Sequence, residues 1–269
     1  MPTLKANQIK INYEIKGEGP PLTMIMGMSC SLRQWQWMTD KLSETFQVIT
    51  FDNRGAGMSD KPDIEYTTEL MAEDIHSLLS QLGINKSHIF GISFGGMIAQ
   101  RFALMFPEIT DGLVLGATMP SWDRFPPSSA TIEALQTSSL APASESVQIV
   151  MELFFTPDFL QNKPVDAAKI KEIMIKEKEE QRLDILYRQM GAAMGHDMVN
   201  NVKNIKVPTL VICGTKDLIA PIENSRFLAR KIPDSTFIEF SGGHHAFWIE
   251  RADEASELII NFLSQPPAV

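Results

Sequence analysis

The stretch Gly91-Ile92-Ser93-Phe94-Gly95-Gly96 decides how this chain folds. The segment before it, Lys86–Phe90, is short and apolar and predicts a strand, while residues 97–106 have helical composition and end at Pro107. A serine between two glycines on a sharp strand-to-helix turn is a nucleophile elbow. We therefore predict a strained backbone at Ser93 that lifts its Oγ above a sheet, with the positive end of the following helix directed at it.

Segments that resemble strands and helices alternate on both sides of this turn. Residues 70–82 carry apolar side chains at helical spacing, with Thr67 or Thr68 available as the N-terminal cap. Residues 252–263 predict a closing helix. Strands are predicted at 8–15, 22–26, 46–51, 113–116, 208–214 and 236–240. This alternation predicts an α/β fold, a mostly parallel, doubly wound sheet with helices on both faces.

The segment between the two sheet-forming parts has a different composition. Residues 119–204 contain prolines and then amphipathic segments, such as 147–155 and 167–194, and they lack strand signals. We divide the chain into a core, residues 1–118 and 205–269, and a helical lid (or cap), residues 119–204. The charge run Lys176–Glu180 is interpreted as a solvated helix face.

A serine nucleophile needs a base, usually histidine, and an acid that orients the base. Asp217 follows the predicted strand 208–214, and the glycine-rich loop after the last strand holds His244 and His245. The order serine, aspartate, histidine is the one expected on this fold. Asp123 is the alternative acid, whereas Asp52 comes too early and is interpreted as structural.

On these residues the chain resembles the α/β-hydrolase family, and the resemblance covers nearly the whole sequence. The matching pieces are Met26–Ser29, Phe51–Ser59, the elbow, Gly214–Pro221 and Gly242–Glu250. A serine at the elbow excludes the branches with an aspartate there, the haloalkane dehalogenases and epoxide hydrolases. The chain looks most like the small esterases and lactonases, which include 3-oxoadipate enol-lactonases.

The resemblance also assigns roles to particular residues. It implies an oxyanion hole made of the backbone N–H groups of Met28 and Phe94, and no cofactor or metal. Met26 stands where the family often has a histidine, so the support of this loop differs. In the family an acidic residue commonly lies five positions after the base, and Glu250 lies five after His245. The glycine before His244 favours that residue instead, so we expect His245 as the base and keep His244 as the alternative.

Composition, net charge and cysteine content exclude several classes of protein. The chain has 269 residues, of which 44% are hydrophobic and 21% charged, and its net charge of −9 argues against nucleic acid or an anionic membrane as partner. The N-terminus shows no signal peptide, and no apolar run is long enough to span a membrane. Cys30 and Cys213 are interpreted as small buried hydrophobes rather than a disulfide framework. We therefore expect a cytoplasmic protein with a small-molecule partner; a homodimer is compatible with the sequence.

The expected activity is that of a serine hydrolase that cleaves a small carboxylic ester or lactone through an acyl-enzyme. The same three residues also serve carbon–carbon bond hydrolysis, cofactor-free perhydrolysis and acyl transfer, and they occur in slow-turnover ligand receptors. Large lid side chains are candidates for an apolar substrate pocket, although we interpret most of them as ordinary lid core. They are Trp122, Phe125, Phe154, Phe155 and Met194.

Overall fold

The computed structural model describes residues 2–264, which form an eight-stranded sheet flanked by helices. The strands are β1 (Thr3–Ala6), β2 (Ile9–Lys16), β3 (Pro21–Ile25), β4 (Gln47–Phe51), β5 (Ser87–Ile92), β6 (Thr110–Gly116), β7 (Thr209–Gly214) and β8 (Ser235–Phe240). The helices are α1 (Gln36–Leu42), α2 (Thr68–Gln81), α3 (Phe94–Met105), α4 (Ser129–Leu140), α5 (Ala143–Phe154), α6 (Pro157–Asn162), α7 (Pro164–Glu180), α8 (Leu183–Met194), α9 (Ile222–Lys231), α10 (Phe247–Glu250) and α11 (Ala252–Leu263). Short 3-10 helices span Leu32–Trp35 and Val202–Asn204.

The strand order explains why distant parts of the sequence meet. The order is β1-β2-β4-β3-β5-β6-β7-β8; β2 runs antiparallel to both β1 and β4, and the other neighbours are parallel. The carboxyl ends of β3, β5, β7 and β8 therefore open at one edge of the sheet. In α/β sheets ligands bind at that edge, so the turns after these strands are where a site should lie.

Both faces of the central sheet are buried. On one face Ile75, Phe102 and Leu113 belong to a cluster covered by α2 and α3. On the other face Trp35, Phe90 and Trp248 pack together, with ring centroids 5.0 Å apart in both the Trp35–Phe90 and Trp35–Trp248 pairs. Burial on both faces explains why the central strands are continuously apolar in sequence.

The predicted fold class, an α/β sheet wound on both faces, is confirmed. The helix predicted at 70–82 is α2, and Thr67 is its cap because its Oγ1 accepts a hydrogen bond from the N–H of Leu70 at 3.1 Å. The helix predicted at 252–263 has the bounds of α11. Strand β1 and helices α1, α9 and α10 were not predicted. Strand β1 and helices α1 and α10 are short, with four, seven and four residues, whereas α9 has ten.

Residues 119–204, which were predicted to be helical, contain α4 to α8 and the second 3-10 helix. A single bridge between Ser121 and Asp197 closes the two ends of this segment. The helix predicted at 167–194 is instead two helices, because Gln181 and Arg182 adopt extended backbone. The break lets the two helices bury side chains in different places: Ile170 of α7 joins the Trp35 cluster, and Ile185 of α8 joins the Phe102 cluster.

None of the helices within residues 2–264 is both long and apolar enough to cross a membrane.

Candidate active site

Ser93 occupies the turn between β5 and α3 with φ 55° and ψ −122°, a backbone conformation that residues other than glycine rarely adopt. Two hydrogen bonds hold it there: the Ser93 N–H donates to the Gly116 carbonyl at 2.8 Å, and the Thr118 hydroxyl donates to the Ser93 carbonyl at 2.7 Å. The strain predicted from the sequence is therefore present in the backbone.

The glycines around Ser93 are required by close backbone approach. A Cβ on Gly91 would lie 2.3 Å from the Gly95 carbonyl oxygen, and a Cβ on Gly95 would lie 2.1 Å from the Ile25 carbonyl oxygen. Both distances are well inside van der Waals contact, and the obstructing atoms are backbone that cannot rotate away. The elbow thus packs directly between β3 and β5, which brings Ser93 to the end of β3.

Asp217 and His245 form a buried hydrogen-bonded pair. Asp217 lies in the turn after β7, where its Oδ1 accepts the N–H groups of Ile219 at 2.8 Å and Ala220 at 2.9 Å. The His245 Nδ1–H donates to Asp217 Oδ2 at 2.8 Å and also lies 3.0 Å from Oδ1. This pairing fixes the imidazole tautomer, so that Nε2 is the nitrogen left to accept a proton.

The loops that carry the acid and the histidine are joined to each other. The N–H of Lys216 donates to the Gly243 carbonyl at 2.9 Å, and the N–H of Gly242 donates to the Thr215 hydroxyl at 2.8 Å. These contacts set the spacing between the turn after β7 and the loop after β8. The orientation of the histidine is therefore set by backbone as well as by the carboxylate.

The alternative residues occupy other positions. Asp217 is hydrogen-bonded to His245 rather than to His244. Burial lowers the pKa of His244, and the negative charge of Asp217 and the Leu153 carbonyl, as a hydrogen-bond acceptor, oppose that shift. Asp123 is exposed. Asp52 accepts hydrogen bonds from the N–H groups of Leu32 at 2.7 Å and Met58 at 2.8 Å, and from the Asn12 amide at 2.7 Å. Asp52 thus ties three segments of the core together, as a structural residue would.

The proposed oxyanion donors lie beside Ser93. Gly27, which precedes Met28, approaches so closely that a Cβ built on it would be 3.5 Å from the Ser93 Cβ. Phe94 is the first residue of α3, so its N–H has no acceptor within the helix. Among the hydrogen bonds of residues 2–264, none uses the N–H of Met28 or Phe94. Both N–H groups are therefore available to a bound oxygen atom.

The lid contacts the histidine loop at the end of α5. The rings of Phe154 and His245 meet edge to face with centroids 4.7 Å apart, and the Ala246 N–H donates to the Phe154 carbonyl at 2.9 Å. Glu250 accepts the N–H of Thr156 at 2.5 Å and its hydroxyl at 3.0 Å. In the sequence Glu250 was notable only for its spacing from the histidines. In the structure its hydrogen bonds to Thr156 link the lid to the helix that follows the histidine loop.

The other large lid side chains lie in different environments. Phe155 is fully buried in the Trp35 cluster, and Met194 is 62% exposed. The rings of Phe125 and Phe227 pack with centroids 6.2 Å apart, and Trp122 is partly buried against the Phe102 cluster. Of the lid side chains considered as pocket residues, Phe154 is the one in ring contact with His245.

The interpretation of Lys176–Glu180 as a solvated face is wrong for its middle. The Glu177 carboxylate points inward and accepts hydrogen bonds from the Ser31 N–H at 2.9 Å and the Gln34 side chain at 2.6 Å. Lys178 donates to the Ser139 carbonyl at 2.9 Å. Partners more than a hundred positions away in the sequence satisfy Glu177, so charge patterning within the helix could not reveal it.

Comparison with known proteins identifies the family. A family model described as the alpha/beta hydrolase fold matches residues 20–251. This chain belongs to the α/β-hydrolase family. The protein is therefore an enzyme of the hydrolase class.

The relatives of this α/β-hydrolase include lactonases. The chain is 26% identical to 3-oxoadipate enol-lactonase 2 of Acinetobacter baylyi. The alignment spans 245 residues and covers 90% of this chain and 89% of that protein. It is 27% identical over 262 residues, 93% of this chain and 91% of the relative, to a Yersinia enterocolitica protein that bears the name of the carbamate hydrolase RutD. The crystal structure of the enol-lactonase from Burkholderia xenovorans LB400 superposes with a TM-score of 0.86 at 25% identity and covers 98% of this chain and 100% of that one. The resemblance to this branch of the family is confirmed.

Within residues 2–264, no group of three or more histidine, cysteine, aspartate and glutamate side chains is arranged to hold a metal ion. Both cysteines are free thiols; Cys213 is buried, and Cys30 is half-buried in the loop after β3.

Proposed function

We propose that this α/β-hydrolase cleaves a small carboxylic ester or lactone through an acyl-enzyme on Ser93. The observation that carries the proposal is the buried His245–Asp217 pair, which belongs to the same sheet edge as the strained Ser93 elbow. A serine hydroxyl is a weak nucleophile until a neighbouring base takes its proton. The pair presents such a base with its tautomer already fixed.

The chemistry follows from these positions. Ser93 Oγ attacks the carbonyl carbon of the substrate while His245 Nε2 takes the hydroxyl proton. Asp217 stabilises the resulting imidazolium, and the N–H groups of Met28 and Phe94 bind the oxyanion. His245 then gives its proton to the leaving alcohol oxygen. A water molecule attacks the acyl-enzyme by the reverse sequence and releases the carboxylic acid.

The position of Phe154 in the lid favours a substrate with a small or slender acyl group. Phe154 places an apolar ring against His245, 4.7 Å between centroids, and so occupies space beside the reacting centre. We therefore expect short acyl chains and small lactone rings to react faster than long or bulky esters.

A graded substrate series tests the proposal. Hydrolysis of p-nitrophenyl esters from acetate to laurate, and of five- and six-membered lactones, is followed with the wild-type protein and with Ser93→Ala as the matched control. We expect multiple turnover that is lost in Ser93→Ala, with kcat/KM highest at the short end. Turnover that survives in Ser93→Ala, or a single burst without further turnover, would contradict the proposal.

Carbamate hydrolysis is the second candidate, favoured by the relative that bears the name of the carbamate hydrolase RutD. The same attack on the carbonyl carbon of a carbamate ester releases the alcohol and leaves a carbamoyl group on Ser93. Water then releases carbamic acid, which breaks down to CO₂ and an amine or ammonia. Adding a carbamate and its isosteric ester to the series separates the two candidates. A larger kcat/KM for the carbamate would replace the ester in the proposal, and the roles of the three residues would stay the same.

A further inference from the structure

The loop after β3, residues 26–31, supplies the Met28 N–H of the proposed oxyanion hole. Its first residue, Met26, has a buried apolar side chain that cannot hydrogen-bond to the loop. From the core, the Asn53 side-chain amide donates to the Met26 carbonyl at 2.8 Å. That contact holds the start of the loop, and the residues on the far side of Met28 must be held by other groups.

Gln189 of helix α8 holds the residue directly after Met28. Its Oε1 accepts the Ser29 N–H at 2.8 Å and the Ser29 hydroxyl at 3.3 Å, while its Nε2 donates to the Arg54 carbonyl at 2.8 Å. The Gln189 side chain is buried, with 1% exposed. Because one end of the amide meets a donor and the other meets an acceptor, only one orientation of the side chain satisfies both.

Ser29 needs such a partner because its backbone is strained. Its φ is 61°, in the left-handed region that residues other than glycine rarely adopt. A hydrogen bond to the Ser29 N–H stabilises this conformation. The Ser29 N–H belongs to the peptide between Met28 and Ser29, which is next to the peptide that carries the Met28 N–H.

Glu177 of helix α7 holds the other end of the loop. Its carboxylate accepts the Ser31 N–H at 2.9 Å and the Gln34 side-chain N–H at 2.6 Å, and the Ser31 hydroxyl is a third donor. Burial raises the pKa of Glu177, and these hydrogen bonds oppose the shift. Thus each side of the Ser29–Ser31 segment is bound by a polar side chain that comes from the lid.

We propose that Gln189 and Glu177 are positioning residues, through which the lid sets the direction of the Met28 N–H in the oxyanion hole. The inference rests on the proposed function, since it needs Met28 to serve an oxyanion. In this proposal the lid helps to position a catalytic N–H group in addition to covering the substrate. In this chain the lid supports the loop, because the side chain of Met26, its first residue, cannot hydrogen-bond to it.

The variant Gln189→Met tests this role, because methionine keeps the length of the side chain and loses both hydrogen bonds. Removing an oxyanion donor outright costs about 10²–10³ in kcat, and misplacing one costs less, so we expect kcat to fall about 10- to 100-fold. KM should stay within about threefold, since ground-state binding uses other contacts. Glu177→Gln, which keeps the shape and removes the charge, should lower kcat about 10-fold by the same reasoning.

The matched control is Arg188→Met, on the same helix. Arg188 donates to the Ile64 carbonyl and pairs with Asp63, so its loss weakens a contact between lid and core without touching the loop. The second readout is the inhibition constant of an alkyl boronic acid, which forms a tetrahedral adduct with serine and needs the oxyanion hole. It should rise with the fall in kcat in Gln189→Met and stay near wild type in Arg188→Met.

The outcomes separate the two proposals. If the wild type turns over esters and binds the boronic acid, but Gln189→Met and Glu177→Gln behave like Arg188→Met, the positioning role is wrong and the proposed function stands. If the wild type neither turns over esters nor binds the boronic acid, the proposed function is wrong and this inference falls with it. Should Gln189→Met fail to fold, Glu177→Gln and the boronic acid decide the question.

Discussion

The substitution Asp217→Asn isolates the role of the acid, because the structure fixes which atom each partner uses. Asp217 Oδ1 accepts two backbone N–H groups, from Ile219 at 2.8 Å and Ala220 at 2.9 Å, and the asparagine carbonyl oxygen can take both. Its amide nitrogen then faces His245 Nδ1, where the carboxylate oxygen stood at 2.8 Å. An amide N–H cannot accept the Nδ1 proton, and the carbonyl oxygen, 3.0 Å from Nδ1, already accepts two backbone N–H groups. We therefore expect the imidazole to switch tautomer.

The switch places the proton on Nε2, the nitrogen that has to accept the proton of Ser93. By analogy with serine proteases, this wrong tautomer should lower kcat by about 10⁴. That factor equals about 5.5 kcal/mol in the activation free energy. The fold should be retained, because the turn after β7 keeps its two backbone hydrogen bonds.

The assay is the saturating rate of p-nitrophenyl acetate hydrolysis, with thermal unfolding measured in parallel. Asp123→Asn is the control, since Asp123 is exposed and should change kcat less than twofold. A folded Asp217→Asn protein with kcat within tenfold of wild type would refute the reasoning. Loss of activity in Asp123→Asn instead would move the acid to that residue.

Three further predictions concern other side chains. His245→Ala should abolish acylation of Ser93 while His244→Ala retains substantial activity, because His245 is the one bonded to Asp217; stopped-flow acylation kinetics would show the reverse if His244 were the base. Phe154→Ala should raise the rate for long esters relative to short ones, since its ring lies 4.7 Å from that of His245; unchanged relative rates across the ester series would count against a pocket role. Burial lowers the pKa of His196 to about 3, so below pH 6.5 the unfolded chain takes up a proton that the folded chain refuses. Urea unfolding should therefore show wild type losing about 2 kcal/mol more than His196→Gln between pH 7.5 and 5, and equal losses would contradict this origin.

The sequence predicted those parts of the molecule that local chemistry determines. The elbow could be predicted because no other residue can replace the glycines at 91 and 95. A Cβ at either position would lie within 2.3 Å of a backbone oxygen. Helix α11 could be predicted because its apolar spacing is contained in its own residues. The choice between His244 and His245 depended on the spacing to Glu250 against the glycine before His244, and the structure pairs His245 with Asp217.

The parts that the sequence did not predict depend on long-range contacts. Gln189 and Ser29 are 160 positions apart, and Glu177 and Ser31 are 146 apart, so no window of sequence contains both partners. The charge run around Glu177 resembles a solvated face because the donors that satisfy it lie elsewhere. Similarly, the break after α7 reflects where Ile170 and Ile185 are buried, which depends on the tertiary fold.

Covalent labelling tests the central claim, an acyl-enzyme on Ser93, most directly. The protein is treated with a fluorophosphonate, and the adduct is located by mass spectrometry of the intact chain and of its peptides. The account predicts one adduct per chain on Ser93, absent in Ser93→Ala and formed much more slowly in Asp217→Asn and His245→Ala. An adduct on another residue with Ser93 unmodified, or equal labelling in Ser93→Ala, would contradict it.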